Sequence, residues 1–302
     1  MPREIHLCLA NHPGGRASLV DIQDWLWAGL EECGIKLSAS DRLFRGDVPN
    51  IIFENENQGY KEFLDAHRGE INLICFVTEV IVGDKFDDAH RPWDGAQRYR
   101  DFLSIADHYS GLITMVPTNV ESLGRIAPTT FFEFGFTDLL ASPRAPEDWR
   151  YDYSFFGPMT PYRRQMLDRL GAFVKIDIPG LAGDGSTVAL PADQYTDLIS
   201  RTAINVVLKQ HEAWQLPSLT RLARIGHASV GCAAEQTPIE TKQSRLFPKF
   251  ASVADFVEKF GRADRQRIAD EARAVTAEYR ATLPHRRELE RNLDECPALR
   301  RF

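Results

Sequence analysis

Residues 151–180 read YDYSFFGPMTPYRRQMLDRLGAFVKIDIPG, and this stretch decides the fold. An apolar run containing Tyr153, Phe155 and Phe156 stops at Gly157-Pro158. Pro161-Tyr-Arg-Arg then opens an amphipathic helix, and Phe173-Val-Lys-Ile-Asp-Ile is a second apolar run. A strand, turn, helix and strand that start afresh halfway along a chain of 302 residues predict a second α/β domain. The glycine after the strand, with Arg163 and Arg164 at the helix start, also makes an anion cradle, because the first N–H groups of a helix have no intrahelical acceptor.

Composition bounds the function. A hydrophobic share of 43% and a charged share of 26% describe an ordinary globular chain long enough for two cores. The net charge of −7 argues against a general nucleic-acid binder, while leaving room for a local basic pocket. No signal peptide or membrane-length apolar stretch is legible, and five scattered cysteines without metal-ligand spacing suggest a reduced, cytoplasmic protein with no structural metal.

The N-terminal half repeats one pattern. A strand over 5–10 breaks at Asn11-His-Pro-Gly-Gly, and a helix over 18–33 follows, stopped by Gly34. The apolar strands 49–53 and 71–78 both end in acids, Glu54 with Glu56 and Glu79, at the edge where open α/β sheets bind ligands. Residues 82–95 read as a polar loop, whose Asp84, Asp87, Asp88 and His90 are solvated rather than metal-binding. Residues 141–148, ASPRAPED, read as a linker. In the second half a strand over 203–209 ends at Lys209, a helix from Leu216 stops at Gly226, and a strand from His227 ends at Glu235. A cation, a helix N-terminus and a carboxylate in this order suit a nucleotide diphosphate and its ribose.

These residues carry a resemblance. FFG, the paired arginines, the strand ending in a basic cluster, the helix LPSLTRLARIG and the strand ending in Glu235 are similar to the C-terminal half of GT-B glycosyltransferases. The likeness is to bacterial proteins of the spore-maturation and capsule-related type; NIIFEN and LICFVTE resemble their acceptor half. The resemblance implies two Rossmann-like α/β domains facing across a cleft: an acceptor-side domain over 1–146, a donor domain over 147–280, and a C-terminal helix over 281–302 that packs back on the first domain. It implies transfer of a sugar from a nucleotide-sugar donor to a bacterial glycan or other acceptor in polysaccharide biosynthesis, with no cofactor and no metal. A bilobal protein that binds or senses nucleotide sugars without catalysis is the alternative. The implied donor residues are Gly157, Arg163, Arg164, Lys209, Ser218, Arg221, Glu235 and Thr237. The base for the acceptor proton is one of Glu54, Glu56, Glu79 or His12, and Tyr60, Trp93 and Phe132 are candidates for stacking on sugar. Peripheral membrane association through the acceptor, and a homodimer, stay open. Gln243 stands eight residues after Glu235, where retaining relatives carry a second glutamate, so the anomeric outcome stays open as well.

Overall fold

A computed structural model describes residues 4–9, 13–41, 43–54, 60–87, 94–180, 190, 192–262 and 264–300. The chain divides into two compact units, residues 1–133 with 286–302, and residues 134–285.

In the first unit β1 (Glu4–Leu9), α1 (Pro13–Glu32), β2 (Lys36–Asp41), β3 (Asn50–Phe53), α2 (Lys61–Ala66) and β4 (Leu73–Val77) follow in order. A small antiparallel hairpin, β5 (Ile81–Val82) with β6 (Lys85–Phe86), precedes α3 (Gly95–Leu103), β7 (Tyr109–Thr114), α4 (Asn119–Gly124) and β8 (Thr129–Phe131). Six of these strands form one parallel sheet in the order β2-β1-β3-β4-β7-β8. Every residue of β3 and β4 is buried, as a parallel strand covered by helices on both faces requires. The winding reverses between β1 and β3, so Glu54, directly after β3, lies at the switch point of the sheet, and Glu79 lies beyond the neighbouring β4.

The second unit repeats the plan with β9 (Tyr151–Phe155), α5 (Pro161–Gly171), α6 (Ala192–Ser200), β10 (Thr202–Val207), α7 (Leu219–Ala228), β11 (Gly231–Glu235), α8 (Lys242–Arg245), β12 (Lys249–Phe250), α9 (Val253–Phe260) and α10 (Arg265–Thr282). The parallel order is β12-β11-β10-β9, and a bridge from Ser154 to Asp177 adds a one-residue rung on the far side of β9. The chain thus leaves β9 to one side and returns to β10 on the other, placing the switch point between the ends of these two strands. Two α/β units with parallel sheets make the fold that of two Rossmann-like domains. The last helices, α11 (His285–Glu295) and α12 (Pro297–Arg300), lead back to the first unit. There Asn292 Oδ1 accepts from Thr130 Oγ1 at 2.9 Å, and Asn72 Nδ2 donates to the Ala298 carbonyl at 2.8 Å.

Several local expectations are corrected. The helix expected from Ser18 starts at Pro13, so Gly14 and Gly15 lie in its first turn rather than in a loop; proline at a first helical position has no N–H to waste. The run 173–178 makes only the single bridge at Asp177. The helix expected to stop at Gly226 runs to Ala228 and ends on Ser229, at φ 54°. His227 is therefore helical, its Nδ1 donating to the Ala223 carbonyl at 2.7 Å. Burial first, and then the positive charges of His285, Arg224 and Arg280, lower its pKa to about 3, against the pull of the Ala223 carbonyl.

The segment 141–148 belongs to the second unit rather than linking two, since Ser142 N–H donates to the His227 carbonyl at 2.9 Å. The division falls instead at 133/134. The strip Phe134–Phe136 zips onto Leu283–His285, with Phe136 N–H donating to the Leu283 carbonyl and His285 N–H to the Phe136 carbonyl, each at 2.8 Å. Gly135 is obligatory there, because a Cβ would lie 2.4 Å from His285 Cα.

Candidate functional site

The C-terminal edge of the second sheet gathers most of the residues expected to hold a nucleotide. Gly157 follows β9 with φ +122°, and the guanidinium of Arg221 packs against it: a Cβ at this position would sit 1.9 Å from Arg221 Nη2. Only glycine permits both the backbone angle and the approach. Arg221 occupies the third position of α7, is 8% exposed, and has an Nη1 without a hydrogen-bond partner. Among the described residues it pairs with no carboxylate; its neighbours are the rings of Phe155 and Phe156, centred 5.9 and 5.8 Å away. Ser218, the N-cap residue of α7, makes no side-chain bond to the helix, so the first turn keeps its N–H groups for another acceptor.

Beside this lies a closed polar cluster. Glu235, at the end of β11, is buried; its Oε2 accepts the Lys209 backbone N–H at 3.0 Å, and its Oε1 lies 3.4 Å from Lys209 Nζ and accepts the Tyr162 phenol. Lys209 Nζ also donates to the Glu212 carbonyl at 3.2 Å and stands 5.5 Å from the centre of the Tyr162 ring. Burial first, and the bond to Glu235 second, push the Tyr162 phenol above its ordinary pKa, so it stays a donor at neutral pH. Thr237 is buried with its hydroxyl on the Ile239 carbonyl at 3.1 Å.

The two arginines of the expected cradle part company. Arg163 is 1% exposed and donates from Nε to the Lys209 carbonyl (3.0 Å), from Nη1 to Pro158 (2.8 Å) and from Nη2 to Leu208 (3.1 Å). It is a clamp that pins the start of α5 onto the end of β10, not a phosphate ligand. Its neighbour Arg164 is exposed on α5, where the next residue of a helix turns by about 100°.

At the C-terminal edge of the first sheet, Glu54 and Glu79 are both buried. Glu54 accepts the Thr78 N–H at 3.0 Å and its hydroxyl at 2.5 Å. Burial, and then the charge of Glu79, raise its pKa from 4.5 to about 7. Glu79 pairs with Arg98 at 3.1 Å, and its carbonyl accepts Asn119 Nδ2 at 2.8 Å. His12, Glu56 and Trp93 lie outside the described residues. Tyr60 is 6% and Phe132 0% exposed, so both belong to the core and offer no face to a sugar. Among the described residues no group of three or more His, Cys, Asp or Glu side chains could hold a metal, and no helix is long and apolar enough to cross a membrane.

Sequence reasoning missed Tyr162, Thr78 and Arg98. A tyrosine in the first turn of a helix looks solvated in a sequence; the one signal for it was its place in Pro-Tyr-Arg-Arg, beside the expected cradle.

No family model and no curated protein matches the chain. Its fold, however, is that of solved GT-B glycosyltransferases. T4 phage BGT in complex with UDP-glucose aligns with a TM-score of 0.58 at 9% identity, covering 98% of this chain and 100% of that one. AviGT4, a glycosyltransferase of avilamycin A biosynthesis, gives 0.55 at 12% identity over 99% and 98%. TarM of S. aureus gives 0.57 at 10% identity over 94% of this chain; the chain spans 58% of TarM's length. At these identities the likeness is one of fold.

Proposed function

We propose that the chain is a glycosyltransferase that binds a nucleotide-sugar donor at the C-terminal edge of its second sheet and passes the sugar, without a metal ion, to a glycan or other acceptor. The observation that carries this reading is Arg221, a buried guanidinium with no carboxylate among the described residues, set against Gly157 in an α-helical first turn that its N-cap leaves open. A buried unpaired charge is expensive, and an anionic ligand is what repays it. A diphosphate there meets a guanidinium and a helix dipole, both already oriented, and these stabilise the charge that builds on it as the sugar leaves. Glu235 supplies the acceptor oxygens for a ribose. Structures of T4 phage BGT with UDP-glucose and of TarM with UDP recommend uridine nucleotides as the first probe.

The acceptor hydroxyl must lose a proton, and Glu54 has the character of a general base. A carboxyl with a pKa near 7 is both available and basic at neutral pH, and Glu79 helps to hold it there. Calorimetry with UDP-, GDP-, CMP- and dTDP-sugars, followed by donor hydrolysis, tests the reading. Binding of one class with slow hydrolysis is expected, and R221M should weaken binding on the order of a hundredfold and slow hydrolysis with it. Binding without turnover under any acceptor would make the chain a nucleotide-sugar binder, and no binding of any nucleotide would refute the proposal.

A further inference from the structure

We infer that Tyr162 is a latch on the nucleotide site: with no ligand bound, its phenol holds the Glu235 oxygen that a ribose hydroxyl takes, so a ribonucleotide binds only by opening that bond. The inference rests on the nucleotide reading of this edge and adds a device to it.

The count of acceptors carries the argument. A carboxylate has about four lone-pair positions. Three of those on Glu235 are engaged, by the Lys209 N–H, the Lys209 ammonium and the Tyr162 phenol. A ribose diol gripped by one carboxylate needs two. One partner must therefore leave, and the three differ in how easily they can. The Lys209 N–H is backbone at the end of β10, where Arg163 and Thr160 lock residues 208–210 from the other side; Thr160 Oγ1 donates to the Gln210 carbonyl at 2.6 Å. Lys209 Nζ carries the charge that offsets Glu235 and has a second bond to the Glu212 carbonyl. The phenol of Tyr162, on a half-buried side chain, is joined to the cluster by the Glu235 bond and by the ring contact with Lys209, and χ1 rotation releases both without moving backbone. The latch also keeps the Glu235 charge partnered while the site is empty.

The experiment compares wild type with Y162F, which keeps the ring over Lys209 and loses only the donor, and with Y162L, which loses both. Calorimetry is run with UDP, GDP and ADP, and with inorganic pyrophosphate as the ribose-free probe. A hydrogen bond to a buried carboxylate, given up on binding, predicts that Y162F takes its preferred diphosphate about tenfold tighter than wild type does. Pyrophosphate affinity should stay unchanged in both variants. Nucleotide affinity that is equal or weaker in Y162F and Y162L would overturn the latch and make Tyr162 a support for Glu235, with the nucleotide site intact. Equal tightening of pyrophosphate would also overturn it, since the gain would not come from ribose. No nucleotide bound by any of the three proteins would overturn the nucleotide reading itself, and the latch with it.

Discussion

Replacing Arg221 by methionine should make the protein more stable and less able to bind. The arginine is 8% exposed, its Nη1 has no partner, and its compensation is two aromatic rings at 5.8 and 5.9 Å, near the outer limit of a cation–π contact. Two such contacts are worth about 1 kcal/mol together, against a cost of several kcal/mol for a guanidinium out of water. Methionine fills the same channel along Phe155 and Phe156 without that cost, so R221M should gain about 1 kcal/mol and raise the melting temperature of the second unit by roughly 2–4 °C. A diphosphate bound to the variant loses a charge-assisted pair in a desolvated site, about 3 kcal/mol, which is on the order of a hundredfold in Kd. Scanning calorimetry and titration with UDP on the same preparations read the two effects. Opposite signs are the mark of a residue kept for function at the expense of stability. An R221M protein that melts lower and binds nucleotide as wild type does would refute the reasoning and make Arg221 a packing residue.

Two further outcomes follow from groups already described. Because Glu54 binds its proton more tightly in the folded chain, its contribution to stability is full below pH 4.5 and is lost as pH rises through about 7. The total is about 3 kcal/mol, so urea melts of E54Q and wild type at pH 5 and pH 8 should differ most in the variant's favour at pH 8; a pH-independent difference would contradict the assignment. R163K should cost about 3 kcal/mol or more in urea stability, since one ammonium cannot reach the Lys209, Pro158 and Leu208 carbonyls that the guanidinium fork serves, whereas R164K should stay within about 0.5 kcal/mol. Equal effects of the two substitutions would remove the distinction drawn between the neighbours.

The sequence by itself determined the central strands of the two sheets. Asn50-Ile-Ile-Phe, Leu73 to Val77 and Ala203 to Val207 are apolar without alternation apart from Asn50 and Asn205, the pattern of a parallel strand with both faces covered. Glu54, Glu79, Lys209 and Glu235 are legible as edge residues because charge follows each apolar run, although the structure buries the three glutamates. Helix ends were less legible. Gly226 looked like a stop, but the close approach of α10 sets its identity, since a Cβ there would lie 2.7 Å from the Tyr279 ring. What only the tertiary structure decided is which polar group faces which. Arg163 and Arg164 are indistinguishable as letters, and a turn of about 100° sends one onto three backbone carbonyls and sets the other on the exposed face of α5. Arg221 and Tyr162 stand 59 residues apart and belong to one edge only because β9 and β10 are neighbours. Periodicity records how each segment meets its own core; the pairing of charges depends on distances between segments, which the order of residues along the chain does not contain.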